Sequence, residues 1–437
     1  MPIKDIGMLI NSTLFSSMRV EKWRQFDSVT LNIHPRLTVL TGANGAGKTT
    51  LLGLLTQHFG WSRPLLATPQ RDKDGRISYV TGVLRSLLSR LKPKENDHAQ
   101  VGKITYSNGL TANLSVPESG NIQYSVQIGN QQLVRGLSIP SHRVLSQYQP
   151  IGAIPTQGIS AQQAFNSYQS EVLNRFQGGH TGSSPFFRMK EALISMATFG
   201  EGNRYVKGKP ELLNSYLGFI KILKQILPES LGFETIEIRT PDVVLITKSG
   251  EFLLDSVSGG ISALIDLAWQ IHTFSDENDQ FVVAIDEPEN HLHPSMQRAL
   301  LPNLLEAFPK VQFIVASHSP FIVTSVRDSS VHVLAYHDGT DDSEFLAIAP
   351  PRSVYSTRLD QVNKAGSANE ILRTVLGLDS TMPLWASKEL DAIITRYRTN
   401  RFTGDQVEQL NTELEAVGMT NCLPSVIDAI VRGDNEK

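Results

Sequence analysis

A chain of 437 residues that is 40% hydrophobic and 19% charged can bury a substantial core, which excludes an intrinsically disordered protein. A net charge of −3 gives no sign of a protein that coats a polyanion, and the single cysteine, Cys422, excludes a disulfide framework and a cysteine-based metal site. No apolar run approaches membrane-spanning length and the opening MPIKDIGMLINS lacks the apolar core of a signal peptide, so we expect a soluble, cytoplasmic protein with no membrane partner.

The first predicted element is a phosphate-binding loop in the segment LTVLTGANGAGKTTLLGLL. Leu37 to Leu40 is an apolar, β-prone run that predicts a buried strand, and a leucine-rich helix is predicted from Thr49 onward. Between them, Gly42 to Thr49 fits G-x-x-x-x-G-K-[ST], in which Lys48 reaches the β- and γ-phosphates and the Thr49 hydroxyl holds Mg²⁺. The alternative, a turn without a ligand, is disfavoured because the required strand and helix flank the loop.

The long segment between Lys48 and Ser258 predicts no coiled coil, because it has no sustained heptad repeat. It contains β-like pieces from about Ile104 to Ile139. A helical region follows, over Ala161 to Phe176 and Pro185 to Ile226, broken by the loop QGGHTGSSP. We interpret this part as a compact helical lobe inserted into the domain that carries the phosphate loop.

A glycine pair opens the next predicted helix, in LLDSVSGGISALIDLAWQI. Ser256 or Ser258 precedes Gly259 and Gly260, and the helix that follows is apolar on most faces, which predicts that it is buried. Its N-terminus would offer a hydroxyl and uncovered backbone N–H groups to an anion. On its own this signal is weak, because glycines before helices are common.

Two acidic residues follow a second buried strand, in FVVAIDEPENHLHP. Phe281 to Ile285 is an uninterrupted apolar run, as in a strand covered on both faces of a parallel sheet, and it ends in Asp286 and Glu287. This places the carboxylates at the strand's C-terminal edge, where ligands bind in open α/β sheets. We expect Asp286 to support Mg²⁺ and Glu287 to orient or deprotonate the attacking water. The alternative is a pair of acids exposed in a loop.

A histidine follows the third apolar strand, in VQFIVASHSP. Val311 to Ala316 predicts the strand, and His318 lies just past its end. A histidine in this place can hydrogen-bond a γ-phosphate. The alternative is a loop histidine that caps the next turn.

Taken together, these segments resemble the ABC-type ATPase family. In that comparison GANGAGKT is the Walker A motif, VSGG the signature, VVAIDE the Walker B motif and ASHS the switch. The strings EPENHLHP, ASHSPFIV and WRQFDSVTLNIHPRLTVLTGANG resemble soluble, SMC-related ATPases, and among them the OLD-like ATPases of bacterial antiphage systems. The resemblance covers roughly residues 18 to 60 and 235 to 340.

The resemblance implies that two ATPase domains face each other and that the Walker A motif of one subunit and the signature of the other enclose each ATP, with Mg²⁺. The implied nucleotide-binding residues are Gly42, Ala43, Asn44, Gly45, Ala46, Gly47, Lys48, Thr49, Thr50, Ser258, Gly259 and Gly260. Thr49 and Asp286 are the implied Mg²⁺ residues, and Glu287 and His318 the implied catalytic residues. The Q-loop glutamine of the family corresponds to Gln147 or Gln149. The signature departs from L-S-G-G-Q, since Val257 replaces leucine and Ile261 replaces glutamine.

The predicted fold class is therefore α/β, an ABC-type P-loop ATPase domain with an inserted helical lobe and a C-terminal helical segment. The predicted ranges are 1–100 and 235–345 for the ATPase core, 101–234 for the inserted β/helical lobe and 346–437 for the mainly helical C-terminal segment. Capping boxes at Ser367 to Glu370 and Thr403 to Gln406 each predict a helix start in this last segment.

The C-terminal segment carries more apolar side chains than two isolated helices could bury between themselves. They are Leu372, Val375, Leu376, Leu378, Leu384, Trp385, Leu390, Ile393 and Ile394. They must pack on the ATPase core, on a second subunit or on a partner, and we predict that these helices are a docking surface for a partner rather than a catalytic module.

Three functional classes follow from the resemblance. OLD nucleases continue into a Toprim domain, which has a cluster of acidic metal ligands. We find no cluster of this kind after the switch segment. The favoured function is therefore a defence ATPase, a homodimer or higher oligomer, that responds to DNA or a phage-derived trigger and controls a separately encoded effector, a nuclease. A RecF- or SMC-like DNA-repair ATPase that acts directly on DNA is the alternative. The ATPase subunit of a membrane transporter fits least, because of the helical insertion and ENHLHP.

Overall fold

The computed structural model describes residues 13–71, 75–83, 98–118, 121–143, 148–179, 181–337, 353–360, 364–378, 380–397 and 404–433. The chain forms two compact units, Met1–Ile371 and Leu372–Lys437. Among the described residues, no helix combines the length and apolarity that crossing a membrane requires.

Most of the strands belong to one large sheet. The strands are β1 (Phe15–Trp23), β2 (Phe26–Asn32), β3 (Leu37–Gly42), β4 (Leu65–Leu66), β5 (Thr68–Arg71), β6 (Ile77–Val80), β7 (His98–Tyr106), β8 (Thr111–Pro117), β9 (Gln123–Tyr124), β10 (Gln127–Gly129), β11 (Gly136–Ile139), β12 (Phe233–Arg239), β13 (Asp242–Thr247), β14 (Gly250–Leu253), β15 (Val282–Asp286), β16 (Gln312–Ala316), β17 (Ser330–Tyr336) and β18 (Val354–Arg358).

The helices fall into three groups along the chain, around the phosphate loop and sheet, in the middle of the chain, and at its C-terminal end. They are α1 (Lys48–Thr56), α2 (Ala161–Phe176), α3 (Pro185–Glu201), α4 (Pro210–Ile226), α5 (Gly259–Ser275), α6 (Pro294–Ala307), α7 (Pro320–Val323), α8 (Ala368–Thr374), α9 (Leu384–Tyr397), α10 (Gly404–Ala416) and α11 (Leu423–Gly433).

The large sheet has a parallel half and a mainly antiparallel half. Its strand order is β10-β8-β7-β1-β2-β18-β17-β3-β16-β15-β11. Parallel pairing runs from β17 through β3, β16 and β15 to β11, and β3 and β16 are buried along their whole length. Strands covered on both faces need continuous apolar sequences, which is the pattern that predicted them. The C-terminal ends of β3, β16 and β15 therefore meet at one edge, and the predicted α/β class with a P-loop ATPase fold is confirmed.

Strands expected in the inserted lobe are part of this sheet. β7 pairs with β1, so that Met18 faces Ile104, and β8 pairs with β7. The alternating apolar side chains of β7 and β8 enter the same core as those of β1, since Ile104 and Leu114 are fully buried beside Met18. The expected boundary at residue 101 thus falls inside β7, and the separate structure in the middle of the chain consists of helices.

The middle helices pack against one another and against α5. The helix predicted over Ala161 to Phe176 is confirmed as α2, which begins with a capping box between Ser160 and Gln163. The helical stretch predicted over Pro185 to Ile226 is divided into α3 and α4, because α3 ends at Gly202, whose φ of 72° leaves the helical region. The prediction that α5 is buried is confirmed: Trp269 is fully buried and meets Phe219 edge-on, with 5.0 Å between ring centroids.

The second unit has a core of its own. α9, α10 and α11 pack around buried apolar side chains, and the unit boundary lies within α8. The predicted capping box of α8 is present, since Glu370 N donates to Ser367 Oγ at 3.3 Å, whereas Thr403 lies outside the described residues. The sequence analysis considered the apolar side chains of two helices only. It left out α10 and α11, which bury Ile393 in the core of this unit. Leu384 and Trp385 remain exposed.

Candidate active site

The phosphate loop, Gly42 to Thr49, joins the buried strand β3 to α1. Gly42, Gly45 and Gly47 have φ values of 132°, 78° and 97°, which side chains with a Cβ rarely adopt. A Cβ on Gly42 would also lie 2.1 Å from Leu334 O. Lys48 is buried, and its Nζ donates to the carbonyl oxygens of Gly42 and Ala43, at 3.0 Å each. The Lys48 ammonium therefore lies against the backbone of the phosphate loop, where it occupies the loop's own carbonyl oxygens.

The first turn of α1 meets the end of β15. Thr49 Oγ1 donates to Asp286, with Oδ2 at 3.0 Å and Oδ1 at 3.3 Å. Burial raises the pKa of Asp286 to about 6, and the neighbouring Glu287 adds to this effect while the Thr49 hydroxyl opposes it. A cation bound beside a buried carboxylate stabilises the ionised form of that carboxylate. Hydroxyl and carboxylate oxygens are also the ligands that hard divalent cations prefer. Thr49 and Asp286 are thus suited to hold Mg²⁺.

Glu287 has an unusual backbone conformation. Its φ is 48°, in the left-handed region, and its N–H donates to Ala316 O at 2.8 Å. Side chains held in this region mark strained, specifically shaped turns. Its Oε2 accepts a hydrogen bond from Asn290 Nδ2 at 3.1 Å, and the same amide donates to Ser141 O at 3.3 Å. The Glu287 carboxylate is therefore held in place by Asn290.

His318 follows β16 at the same edge, in the switch segment Ser317, His318 and Ser319. Its backbone N–H donates to Glu289 Oε1 at 2.8 Å. Burial lowers the pKa of His318, and the positive charge of Lys48 lowers it further, while Glu287 and Glu289 raise it. The imidazole is therefore neutral at neutral pH, and can donate a hydrogen bond without carrying a charge.

The signature segment, Ser258 to Gly260, opens α5. Ser258 is the N-cap but makes no side-chain cap hydrogen bond, and Ser258 and Gly259 are exposed. A Cβ on Gly260 would lie 2.9 Å from His291 O, so this segment packs on the turn that follows Glu287. The first backbone N–H groups of a helix have no partner within the helix. The start of α5 thus has helix-end donors of which Ser258 and Gly259 are exposed, whereas Gly260 is buried.

The predicted Q-loop glutamine is not settled by the geometry. Gln147 lies outside the described residues. Gln149 Nε2 donates to Gly182 O at 3.1 Å, and its Oε1 accepts from Ser184 N at 2.9 Å. Both ends of the Gln149 amide hold the loop that leads into α3.

The structure therefore brings the phosphate loop, Asp286, Glu287 and His318 to one sheet edge. It also adds Glu289 and Asn290, whose roles the sequence analysis missed. Both lie within the quoted EPEN string, but their contacts cross from the end of one strand to the loops after its neighbours. The predicted parallel strands imply that the loops after neighbouring strands lie side by side. This signal could have shown that Glu289 and Asn290 contact those loops.

Two family models match the chain in the regions that form this site. A model described as an AAA domain matches residues 17–105, which include the phosphate loop. A model described as "AAA domain, putative AbiEii toxin, Type IV TA system" matches residues 241–324, which include the signature segment, Asp286, Glu287 and His318.

Curated relatives are similar to parts of the chain. The "Retron Vc95 probable ATPase" of Vibrio cholerae serotype O1 biovar El Tor is 28% identical over 172 residues, 37% of this chain and 30% of the relative. The "Septu protein PtuA" of Bacillus thuringiensis is 27% identical over 173 residues, 36% of this chain and 40% of the relative. The "Retron Ec83 probable ATPase" of Escherichia coli is 21% identical over 387 residues, 73% of this chain and 71% of the relative. The chain spans less than half the length of the first two. With the site geometry, these matches show a P-loop ATPase fold, and parts of the chain are similar to the ATPases of the Septu and retron systems.

Proposed function

We propose that two copies of this chain enclose ATP between them and that the nucleotide state controls a separately encoded effector, a nuclease, in bacterial antiphage defence. The observation that carries the dimer is the uncapped start of α5, where Ser258 and Gly259 are exposed while Gly260 packs on His291. A phosphate loop in one copy and this helix start in the other supply donors to the same phosphates. The similarity to Septu and retron ATPases supports the defence role.

In this proposal each residue at the sheet edge has a defined part in converting ATP and water to ADP and phosphate. The backbone N–H groups of the phosphate loop and Lys48 bind the β- and γ-phosphates. Thr49 and Asp286 hold Mg²⁺, which when bound offsets the negative charge of the phosphates. Glu287 accepts the proton of the attacking water, and the neutral His318 donates to the γ-phosphate.

Mixing two inactive variants tests the shared site. Lys48→Ala removes the phosphate-loop cation, and Ser258→Arg fills the exposed start of α5 with a bulky side chain. Each variant alone should have no ATPase activity. An equimolar mixture should recover up to roughly a quarter of the wild-type rate, because half of the dimers are mixed and each mixed dimer has one intact site.

The steady-state release of phosphate measures this recovery. Light scattering in the presence of ATP gives the mass of the protein and shows whether dimers form. A mixture that forms dimers in ATP but is as inactive as its components would mean that each chain hydrolyses ATP with its own residues. Full activity of Ser258→Arg alone would exclude the signature segment from the site.

Deleting residues 380–437 tests where the effector binds. The second unit has its own apolar core, so the shortened chain should stay folded and hydrolyse ATP while it no longer co-purifies with its effector. An insoluble product would mean that the first unit needs these helices, and retained binding would move the effector site to α2–α4. Stimulation of the isolated chain's ATPase activity by DNA would instead favour the DNA-repair alternative.

A further inference from the structure

Glu289 links the turn after β15 to the switch segment after β16. Its Oε1 accepts hydrogen bonds from Ser317 Oγ at 2.8 Å, His318 N at 2.8 Å and Ser319 N at 3.1 Å. Every residue of the switch segment therefore donates to one carboxylate oxygen. Hydrogen bonds to an ionised acceptor are stronger than neutral ones, so this oxygen fixes the backbone on both sides of the imidazole.

The switch segment is also tied to two helices through Ser319. Ser319 Oγ accepts from the backbone N–H groups of Phe321 and Ile322, which caps α7, and donates to Gln297 Oε1 of α6 at 2.6 Å. A movement of the segment away from Glu289 would have to disturb these bonds too. The position of His318 is thus set by a connected set of hydrogen bonds with the carboxylate at its centre.

The same turn carries Glu287. Asn290 N donates to Glu287 O at 3.2 Å, and Leu292 N donates to Glu289 O at 2.9 Å. Glu287 and Glu289 are therefore held in one short, hydrogen-bonded turn. A displacement of this turn would shift the proposed general base and the anchor of His318 together.

The charge of Glu289 also reaches the rest of the site. Its negative charge favours the protonated forms of Lys48 and His318. Its second oxygen, Oε2, is buried and has no hydrogen-bond partner among the described residues. Arg143 has a buried guanidinium that likewise lacks a partner within the described part of the chain and that feels the charge of Glu289. The carboxylate is therefore a charged element of the site and more than a spacer.

We propose that Glu289 is the positioning residue that holds His318 against the γ-phosphate. The inference rests on the proposed role of His318 in hydrolysis. Glu289 does not touch the nucleotide in this assignment, and it acts through the backbone and the imidazole of the switch segment. Its loss should therefore slow the chemical step while leaving ATP binding to the phosphate loop.

Steady-state kinetics of Glu289→Ala and Glu289→Gln in the full chain test the proposal. We expect kcat to fall about 10- to 100-fold in Glu289→Ala, the scale of a small misplacement of a reacting group, with KM for ATP nearly unchanged. Glu289→Gln keeps an acceptor oxygen without the charge and should lie between alanine and wild type. Glu306→Gln, an exposed glutamate on α6, is the matched control and should behave as wild type.

A double-mutant cycle with His318→Ala shows whether Glu289 acts through the histidine. If it does, adding Glu289→Gln to His318→Ala should cause no further loss, because interacting residues are not additive. Independent losses that multiply, or a wild-type kcat in Glu289→Gln, would overturn the proposal. If His318→Ala alone keeps full activity, the role proposed for His318 fails instead, whatever the Glu289 variants do.

The titration of His318 gives a readout that a purely structural role would not change. The charged groups that face its imidazole are Lys48, Glu287 and Glu289. Removing the negative charge in Glu289→Gln should lower the pKa of His318, observed by NMR of labelled histidine in the folded protein. An unchanged pKa would show that the carboxylate does not face the imidazole and would contradict the assignment.

Discussion

Replacing Lys48 with alanine is expected to abolish ATP binding. In the structure the Lys48 ammonium donates to Gly42 O and Ala43 O and lies inside the ring of the phosphate loop. In the complex, phosphate oxygens would accept the hydrogen bonds of the Lys48 ammonium in place of these carbonyls, and its positive charge would pair with theirs. Truncating one partner of a buried, hydrogen-bonded charge pair lowers affinity by about 100-fold or more. Titration calorimetry with ATP measures the loss.

Lys310→Ala is the matched control for this variant. Lys310 is an exposed lysine that pairs with the exposed Asp279 at 3.2 Å, far along the chain from the phosphate loop. It should leave the affinity for ATP unchanged. Wild-type affinity in Lys48→Ala would mean that the loop is a turn without a ligand, and the assignment of the site would be wrong.

The same residue makes ATP binding depend on pH. Burial lowers the pKa of Lys48 to about 8, although Glu287, Asp286 and Glu289 each oppose the shift. Above pH 8 the free protein therefore carries a neutral Lys48, and binding of the anionic phosphates restores its proton. Affinity should fall as the pH rises through 8, and the calorimetric enthalpy near pH 8.5 should depend on the ionisation heat of the buffer. Lys310→Ala, which keeps Lys48, should retain this buffer dependence.

The strands that carry the site could be predicted because each has a strong local pattern. Leu37 to Leu40, Phe281 to Ile285 and Val311 to Ala316 are continuous apolar runs, and a run of this kind is what a strand buried on both faces requires. Placing Asp286, Glu287 and His318 at one edge then needed only the rule that parallel strands end on the same side. Local chemistry and a general rule were enough for these residues.

The contacts between the loops could not be predicted in the same way. Glu289 meets Ser317 and His318 because β15 and β16 are neighbours with Asp286 opposite Ala316. Neighbours in a sheet are chosen by tertiary packing, which no local sequence pattern reports. For the same reason β7 and β8 were assigned to the insertion: their alternation of apolar and polar residues has the same period in any half-buried sheet.

The outcome for the C-terminal segment has a similar cause. The apolar side chains of α9 were recognised, but the cover that Leu410 and Leu414 of α10 and Val426 of α11 provide was not. The apolar face of an amphipathic helix indicates that the helix packs against another element. It does not indicate which element that is. Counting only two helices therefore overstated the apolar surface left for a partner protein.

Glu287→Gln is expected to leave ATP binding intact and to stop turnover. The amide has nearly the shape of the carboxylate and its oxygen can still accept from Asn290 Nδ2, so the turn with its φ of 48° should persist. An amide cannot take a proton from water, and loss of a general base lowers kcat by about 10²- to 10⁴-fold. Affinity for ATP should stay within about threefold of wild type, because Lys48 and the phosphate loop are unchanged.

Single-turnover hydrolysis and ATP titration, performed on the same preparation, separate the two effects. Glu277→Gln, at an exposed glutamate that follows α5, controls for the loss of one negative charge and should match wild type. Because ATP stays bound in Glu287→Gln, the mass of the complex in ATP should be that of the enclosed dimer, whereas Lys48→Ala should stay unliganded in the same buffer. Near-normal hydrolysis in Glu287→Gln would assign the base to another group. Asp286 would then be the next residue to replace, since its carboxylate lies at the same strand end and burial raises its pKa to about 6.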